Sequence, residues 1–328
     1  MLMATINDIA RLAGVAKSTV SRYLNGGSVS QATKEIIEKV MKDTGYIPNT
    51  FAQSLKVKKS NLIGIIIPRL NSYATYEILE SIDRSLKKHH YQLLITNTDQ
   101  NIEREIEQIL AFSKQKVAAI ILLATTLTNR HQQLIEALDI PVLVIGQRCD
   151  FTYNFIYNEI SAGKMMAEHA LSLNHRQILY LGVNEHDVAV GKLRKQGVLD
   201  VLKANSQLML KVKEVDFNYE ITYQMLLEYL PTVSPSYILC ATDNIALAAY
   251  KATLALGKRV PDDVSISGFG GYSITNLVTP AITTVRYPYK EVGDLAVLQL
   301  QHILNGEEVE RQSILIPVLE VKQSTRKI

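Results

Sequence analysis

The sequence predicts an α/β fold, with a small helical head in front of two doubly wound parallel-sheet subdomains. Three observations predict it. Residues 4 to 45 carry apolar positions at helical spacing, broken by a glycine turn. From Asn61 onward, short apolar runs alternate with amphipathic helices, the pattern of βαβ units. The alternation then restarts after Ser161, so the sheet is built twice.

The head comes first. Thr5 and Asp8 have the spacing of a capping box, and Ile6, Ile9, Ala10 and Ala13 form an inward helical face. Gly14 stands where the tight turn of a helix-turn-helix needs positive φ. A second helix, from Lys17 to about Asn25, buries Val20 and Leu24 and leaves Lys17, Ser18, Thr19, Ser21 and Arg22 outward. Short donors and long cations at the start of such a helix suit base edges and phosphates. Ser30 caps a third helix carrying Ile36, Ile37, Val40 and Met41, and Gly45 stops it. Charge supports a nucleic-acid partner: residues 1 to 60 hold nine Lys/Arg against four Asp/Glu, whereas residues 61 to 328 hold 26 against 28.

In the body, strands are expected at 62–67, 91–97, 118–124 and 141–146, with helices near 73–89, 101–114 and 128–138 between them. The second half places strands at 177–183, 213–217, 237–241 and 264–270. Ligands of such folds lie outside the carboxyl ends of the strands, here in a cleft between the halves. The residues at those ends are polar: Arg69, Asn71, Thr125, Thr126, Gln147 and Arg148 from the first half, and Lys192, Arg194, Phe217, Asp243, Asn244 and Tyr272 from the second. Arginine and aspartate offer paired donors and acceptors to vicinal hydroxyls, while an aromatic face covers the C–H side of a sugar ring.

Composition narrows the function. No run approaches ~18 apolar residues, so no membrane span is expected, and the N-terminus lacks the basic-then-apolar pattern of a signal peptide. Cys149 and Cys240 have no paired spacing, and the seven His form no ligand pair, so neither a disulfide framework, a metal site nor a cofactor is expected. A nucleotide-dependent enzyme finds only Gly268-Phe269-Gly270-Gly271, without GxGxxG spacing, and there is no GxxxxGK[ST] loop and no catalytic residue set. A secreted sugar-binding protein would share the two-lobed body but not the head. The sequence therefore points to a soluble cytoplasmic protein that is not an enzyme.

The head and the segment Tyr46-Ile-Pro-Asn-Thr-Phe-Ala-Gln-Ser-Leu55 resemble the LacI family of bacterial repressors, and the whole chain follows that pattern. The resemblance implies a periplasmic-binding-protein-like body and a hinge helix whose leucine, matched by Leu55, wedges into the minor groove at the centre of a palindromic operator. Asn25, Asn49, Ala52 and Leu55 thereby join Thr5, Lys17, Ser18, Thr19, Ser21 and Arg22 as expected DNA contacts. The implied boundaries are 1–48 for the head, 49–60 for the hinge, 61–158 with about 288–317 for the first effector subdomain, and 159–287 with about 318–328 for the second. Positions matching Arg194 and Asp243 hold sugar hydroxyls in the family, and Phe217 matches an aromatic under the ring. Asn158 stands where many relatives have Asp.

The segments Ile67-Pro-Arg-Leu-Asn-Ser72 and Leu181 to Arg194 are similar to the subgroups that control sucrose and trehalose operons, the latter induced by trehalose 6-phosphate. Arg69 matches an arginine of the trehalose subgroup. The implied partners are palindromic double-stranded DNA, a second copy of the chain, and a sugar or sugar phosphate. Arg69 and Arg148 together lean the expectation towards a phosphorylated disaccharide. Some relatives use a phosphoprotein corepressor instead, and the sequence leaves that route open.

Overall fold

The structure is a computed structural model that describes residues 4–24, 27–46 and 60–328. The chain divides into two units, Met1–Asn61 and Leu62–Ile328. In the first, α1 (Ile6–Leu12), α2 (Lys17–Leu24) and α3 (Gln31–Thr44) close around Ile9, Val20 and Ile37, each fully buried. Thr5 and Asp8 form the reciprocal capping box, with the Asp8 N–H donating to Thr5 Oγ1 at 3.4 Å and the Thr5 N–H to Asp8 Oδ2 at 3.0 Å. Gly14 turns the chain into α2 at φ +63°. On α3, Ile37 points inward while its neighbour Ile36 is exposed, because adjacent helical positions lie about 100° apart. Tyr23 donates to Glu38 Oε1 at 2.7 Å, fixing the roll of α2 on α3.

The second unit holds two six-stranded sheets. The first contains β1 (Leu62–Ile67), β2 (Gln92–Asn97), β3 (Ala119–Leu123), β4 (Val142–Ile145), β5 (Tyr153–Tyr157) and β11 (Gln312–Leu315), in the order β11-β5-β4-β3-β1-β2. Helices α4 (Tyr73–Lys88), α5 (Ile102–Lys114) and α6 (Asn129–Glu136) connect its first strands. The second contains β6 (Gln177–Gly182), β7 (Met209–Glu214), β8 (Tyr237–Cys240), β9 (Ser265–Gly270), β10 (Thr283–Arg286) and β12 (Val318–Glu320), in the order β12-β10-β9-β8-β6-β7. Its helices are α7 (Glu159–Ser172), α8 (Lys195–Lys203), α9 (Tyr219–Tyr229) and α10 (Asp243–Ala255). Every pairing is parallel except β12 against β10. Central strands such as LIGIII and AIILL are apolar throughout because helices cover both faces.

The chain passes between the lobes after Tyr157, after Arg286 and after Leu315. After the second passage α11 (Tyr289–Leu304) packs on α4 of the first lobe, so closely that a Cβ at Gly293 would overlap Ser81 Oγ. Four strands, β5, β10, β11 and β12, lie beyond those expected from the sequence, and one expected strand is displaced. The strand expected at 213–217 is β7, at Met209–Glu214, which leaves Phe217 in the loop beyond it. β7 is an edge strand with no buried position, exposed at Met209, Lys211, Val212 and Glu214, so it has no buried apolar run to mark it.

Candidate DNA-reading face and effector cleft

On the head, Lys17, Ser18 and Arg22 are exposed, whereas Thr19 and Ser21 are half-buried. This puts the cations and the first hydroxyl of α2 on one accessible side. Thr5 is exposed, but its hydroxyl is committed to Asp8 Oδ2 at 2.7 Å, so any contact with a phosphate competes with its own cap. Asn25, Asn49, Ala52 and Leu55, and with them the hinge, lie outside the described residues.

In the body a cavity of about 790 Å³ opens at the carboxyl ends of both sheets, within the range of small-molecule pockets. Both topological switch points meet there: Arg69 and Thr125 follow the neighbouring strands β1 and β3, and Asn184 and Thr242 follow β6 and β8. Of the residues expected to contact the effector, Arg69, Asn71, Thr125, Gln147, Arg194, Phe217 and Tyr272 line this cavity. Arg148, Lys192 and Asp243 do not.

Each exclusion has a local cause. Gly146, at φ +99°, turns the chain after β4 so that Gln147 faces in and gives Nε2 to Thr125 O at 2.8 Å, while Arg148 is exposed. Lys192 and Arg194 share one wide π turn, Val188–Arg194; two residues apart they leave on different sides, and Lys192 joins Lys195 and Asp200 around an outer groove. Asp243 is fully buried beneath the cleft floor, where Oδ2 accepts the Tyr272 N–H at 2.9 Å and Oδ1 the Thr284 hydroxyl at 2.7 Å. Burial pushes its carboxyl up to about 6, although those hydrogen bonds and Lys322 pull it down. It positions Tyr272 rather than touching the cavity.

Arg194 reaches the cleft wall but is 3% exposed and already engaged. Nε and Nη2 grip Glu159 at 2.8 and 2.9 Å, and Nη1 donates to Ala241 O at 2.7 Å. The guanidinium also lies 5.0 Å from the Phe269 ring centre and 4.9 Å from that of Tyr287. Burial opposes its charge most strongly, but Glu159 together with the Tyr287 and Tyr289 hydroxyls holds Arg194 well above its ordinary value. Glu159, 5% exposed, accepts a third bond from the Tyr287 hydroxyl at 2.6 Å. Sequence reading missed Glu159 and Tyr287, because the contacts join positions 35 and 128 residues apart. Beside them Asn158 caps α7, its Oδ1 accepting the Ser161 N–H at 3.1 Å.

The lobes touch across the cleft. Arg69 of the first lobe lies flat on Phe217 of the second, 4.0 Å from the ring centre, so the aromatic face expected beneath a sugar ring is covered by a guanidinium. Burial lowers the pKa of Arg69, and its Nε is buried without a hydrogen-bond partner. Tyr73 stacks on Tyr272 with ring centres 5.2 Å apart, and Val188 N–H donates to Thr125 O at 3.4 Å. Among the described residues no cluster of His, Cys, Asp or Glu could hold a metal ion, and no helix is long and apolar enough to cross a membrane.

Comparison with known proteins places this architecture. Residues 5–49 match the profile of the bacterial regulatory proteins of the lacI family, and residues 167–325 match that of the periplasmic binding protein-like domain. A sucrose operon repressor of Staphylococcus xylosus is 36% identical over 324 residues, 98% of this chain and 99% of that protein. A ribose operon repressor of Haemophilus influenzae is 28% identical, with 98% of each chain covered. The crystal structure of the lac repressor dimer bound to operator and the anti-inducer ONPF superposes with a TM-score of 0.87 at 25% identity, covering 98% of this chain and 99% of that one. The chain belongs to the lacI family of bacterial regulatory proteins, DNA-binding transcriptional repressors rather than enzymes.

Proposed function

We propose that this repressor controls a disaccharide-utilisation operon of the sucrose type, binds a palindromic operator as a homodimer in the cytoplasm, and is released by a sugar held between the lobes. The cleft carries this reading: a cavity of about 790 Å³ whose walls come from both lobes and are rich in hydroxyl, amide, guanidinium and carboxylate groups. A ligand touching both walls favours one relative orientation of the lobes, and that preference is the coupling energy available to the hinges. Two heads are needed to read two half-sites, which is the physical reason for a dimer. The sucrose assignment is supported by the 36% identity to the staphylococcal sucrose operon repressor.

On the DNA side, Lys17, Ser18 and Arg22 face the major groove, with Thr5, Thr19 and Ser21 nearer the phosphates. Asn49, Ala52 and Leu55 belong to the hinge at the operator centre. Arg22→Ala is expected to cost about 2 kcal/mol in operator binding and to relax preference at one symmetric pair of base positions, as loss of a bidentate guanine contact would. Binding to operators with single symmetric substitutions measures this. A uniform loss with an unchanged preference profile would assign Arg22 to the phosphates.

A further inference from the structure

We propose that the cleft is built for an uncharged, hydroxyl-rich ligand and rejects the phosphate ester of the same sugar. This rests on the sugar reading above and narrows it. The described residues lining the cavity include two guanidiniums, Arg69 and Arg194, and no lysine, against four carboxylates: Glu159, Asp187, Asp216 and Glu220. Arg194 is neutralised by its two-point grip on Glu159. Arg69 lies face down on Phe217, and the charges of Asp187 and Asp216 already act on it. Arg148, the further cation that a phosphate would want in the first lobe, is outside.

The other common source of phosphate affinity, the N–H groups of a helix N-terminus, is offset by caps and by first-turn carboxylates. Five α-helices begin at the cavity; Asn158 accepts from the Ser161 N–H at the start of α7, while α11, which starts at Tyr289, has no side-chain cap. Ser72 accepts from the Thr75 N–H at the start of α4, Thr242 from Ile245 N–H at α10, and Asn218 from Glu220 and Ile221 N–H at α9. Four of these first turns also carry an acid: Glu159 in α7, Glu220 in α9, Asp243 in α10 and Glu291 in α11. A dianionic phosphate would leave water and meet helix starts that are mostly capped and carry carboxylates. Hydroxyls fare differently, because each both donates and accepts. They can donate to Asp187 and Glu159 and accept from Arg69 Nε, the buried donor that lacks a partner.

The test is calorimetry on the full chain with sucrose and trehalose, each beside its 6-phosphate. The comparison is repeated on Asp187→Asn with Asp216→Asn, substitutions that keep an acceptor oxygen for the Val190 and Asn218 N–H groups. The expected result is that a free sugar binds at least about ten-fold tighter than its ester, and that the ratio narrows several-fold in the double variant, where like-charge repulsion is removed. An ester that binds as tightly as its sugar overturns the proposal and leaves the repressor reading intact. A ratio unmoved by the double variant overturns its electrostatic basis. Absence of binding by all four compounds, with operator binding retained, removes the sugar reading and the proposal with it.

Discussion

Glu159→Gln is expected to destabilise the effector-binding body by about 3–5 kcal/mol, the usual consequence of leaving a buried charge without its partner. Arg194 would keep its positive charge at 3% exposure, facing a neutral amide whose single oxygen can accept one of the two bonds that Glu159 took, with Ala241 O and two aromatic rings beside it. The Tyr287 hydroxyl would lose a charged acceptor at the same time. Because Tyr287 belongs to the second passage between the lobes and Glu159 follows the first, the loss falls at the crossovers that join the lobes. Urea unfolding of wild type and variant measures the difference. An apolar replacement of both partners, Glu159→Leu with Arg194→Met, should recover much of it, since both desolvation terms vanish together. A loss below about 1 kcal/mol in the single variant would mean that solvent reaches the pair and that it is no structural keystone.

Asp243 should give the body a distinctive pH profile. Burial raises its carboxyl from 3.8 to about 6 in the folded protein. Between those values the folded state holds a proton that the unfolded chain has released. The contribution to stability is therefore fully present below about pH 4 and declines as pH rises to 6, by about 3 kcal/mol. The amide introduced by Asp243→Asn would fit the same site, accepting from Tyr272 N–H and donating to Thr284 Oγ1, yet it does not titrate. The free energy of unfolding of wild type minus that of Asp243→Asn should fall across this window. Parallel profiles for the two proteins would contradict the placement of a buried, titrating carboxyl beneath Tyr272.

The elements that can be read from the sequence are those whose signal is local. The apolar run 62–67 becomes β1 residue for residue, and Thr5 with Asp8, Gly14, Ser30 and Gly45 mark the helices of the head because caps and turns are short-range. β7 is displaced in the reading because an edge strand of alternating lysines lacks that local signal. In the cleft, Arg69, Asn71 and Thr125 are found simply by following strands to their carboxyl ends. Which of two neighbours points inward is decided by a single dihedral, and Gly146 sends Gln147 in and Arg148 out. Depth is harder still. Asp243 lies under the floor because Thr284, 41 residues away, and the Tyr272 backbone hold it there. Glu159 is concealed for the same reason: its three bonds come from Arg194 and Tyr287, which only the closed fold brings near. The expectation of a phosphorylated ligand depended on Arg148, and it weakens once that side chain is placed outside.

On the proposed function, a sugar in the cleft and an operator on the heads bind the same molecule at each other's expense. Anisotropy of a labelled palindromic operator, titrated with the purified full chain in the absence and presence of saturating sucrose or trehalose at fixed salt, tests it most directly. Tight operator binding is expected without sugar, with a loss of about 100-fold with the cognate sugar, equivalent to about 2.7 kcal/mol of coupling between the sites. An operator isotherm that stays in place while calorimetry shows the cleft filled would contradict it.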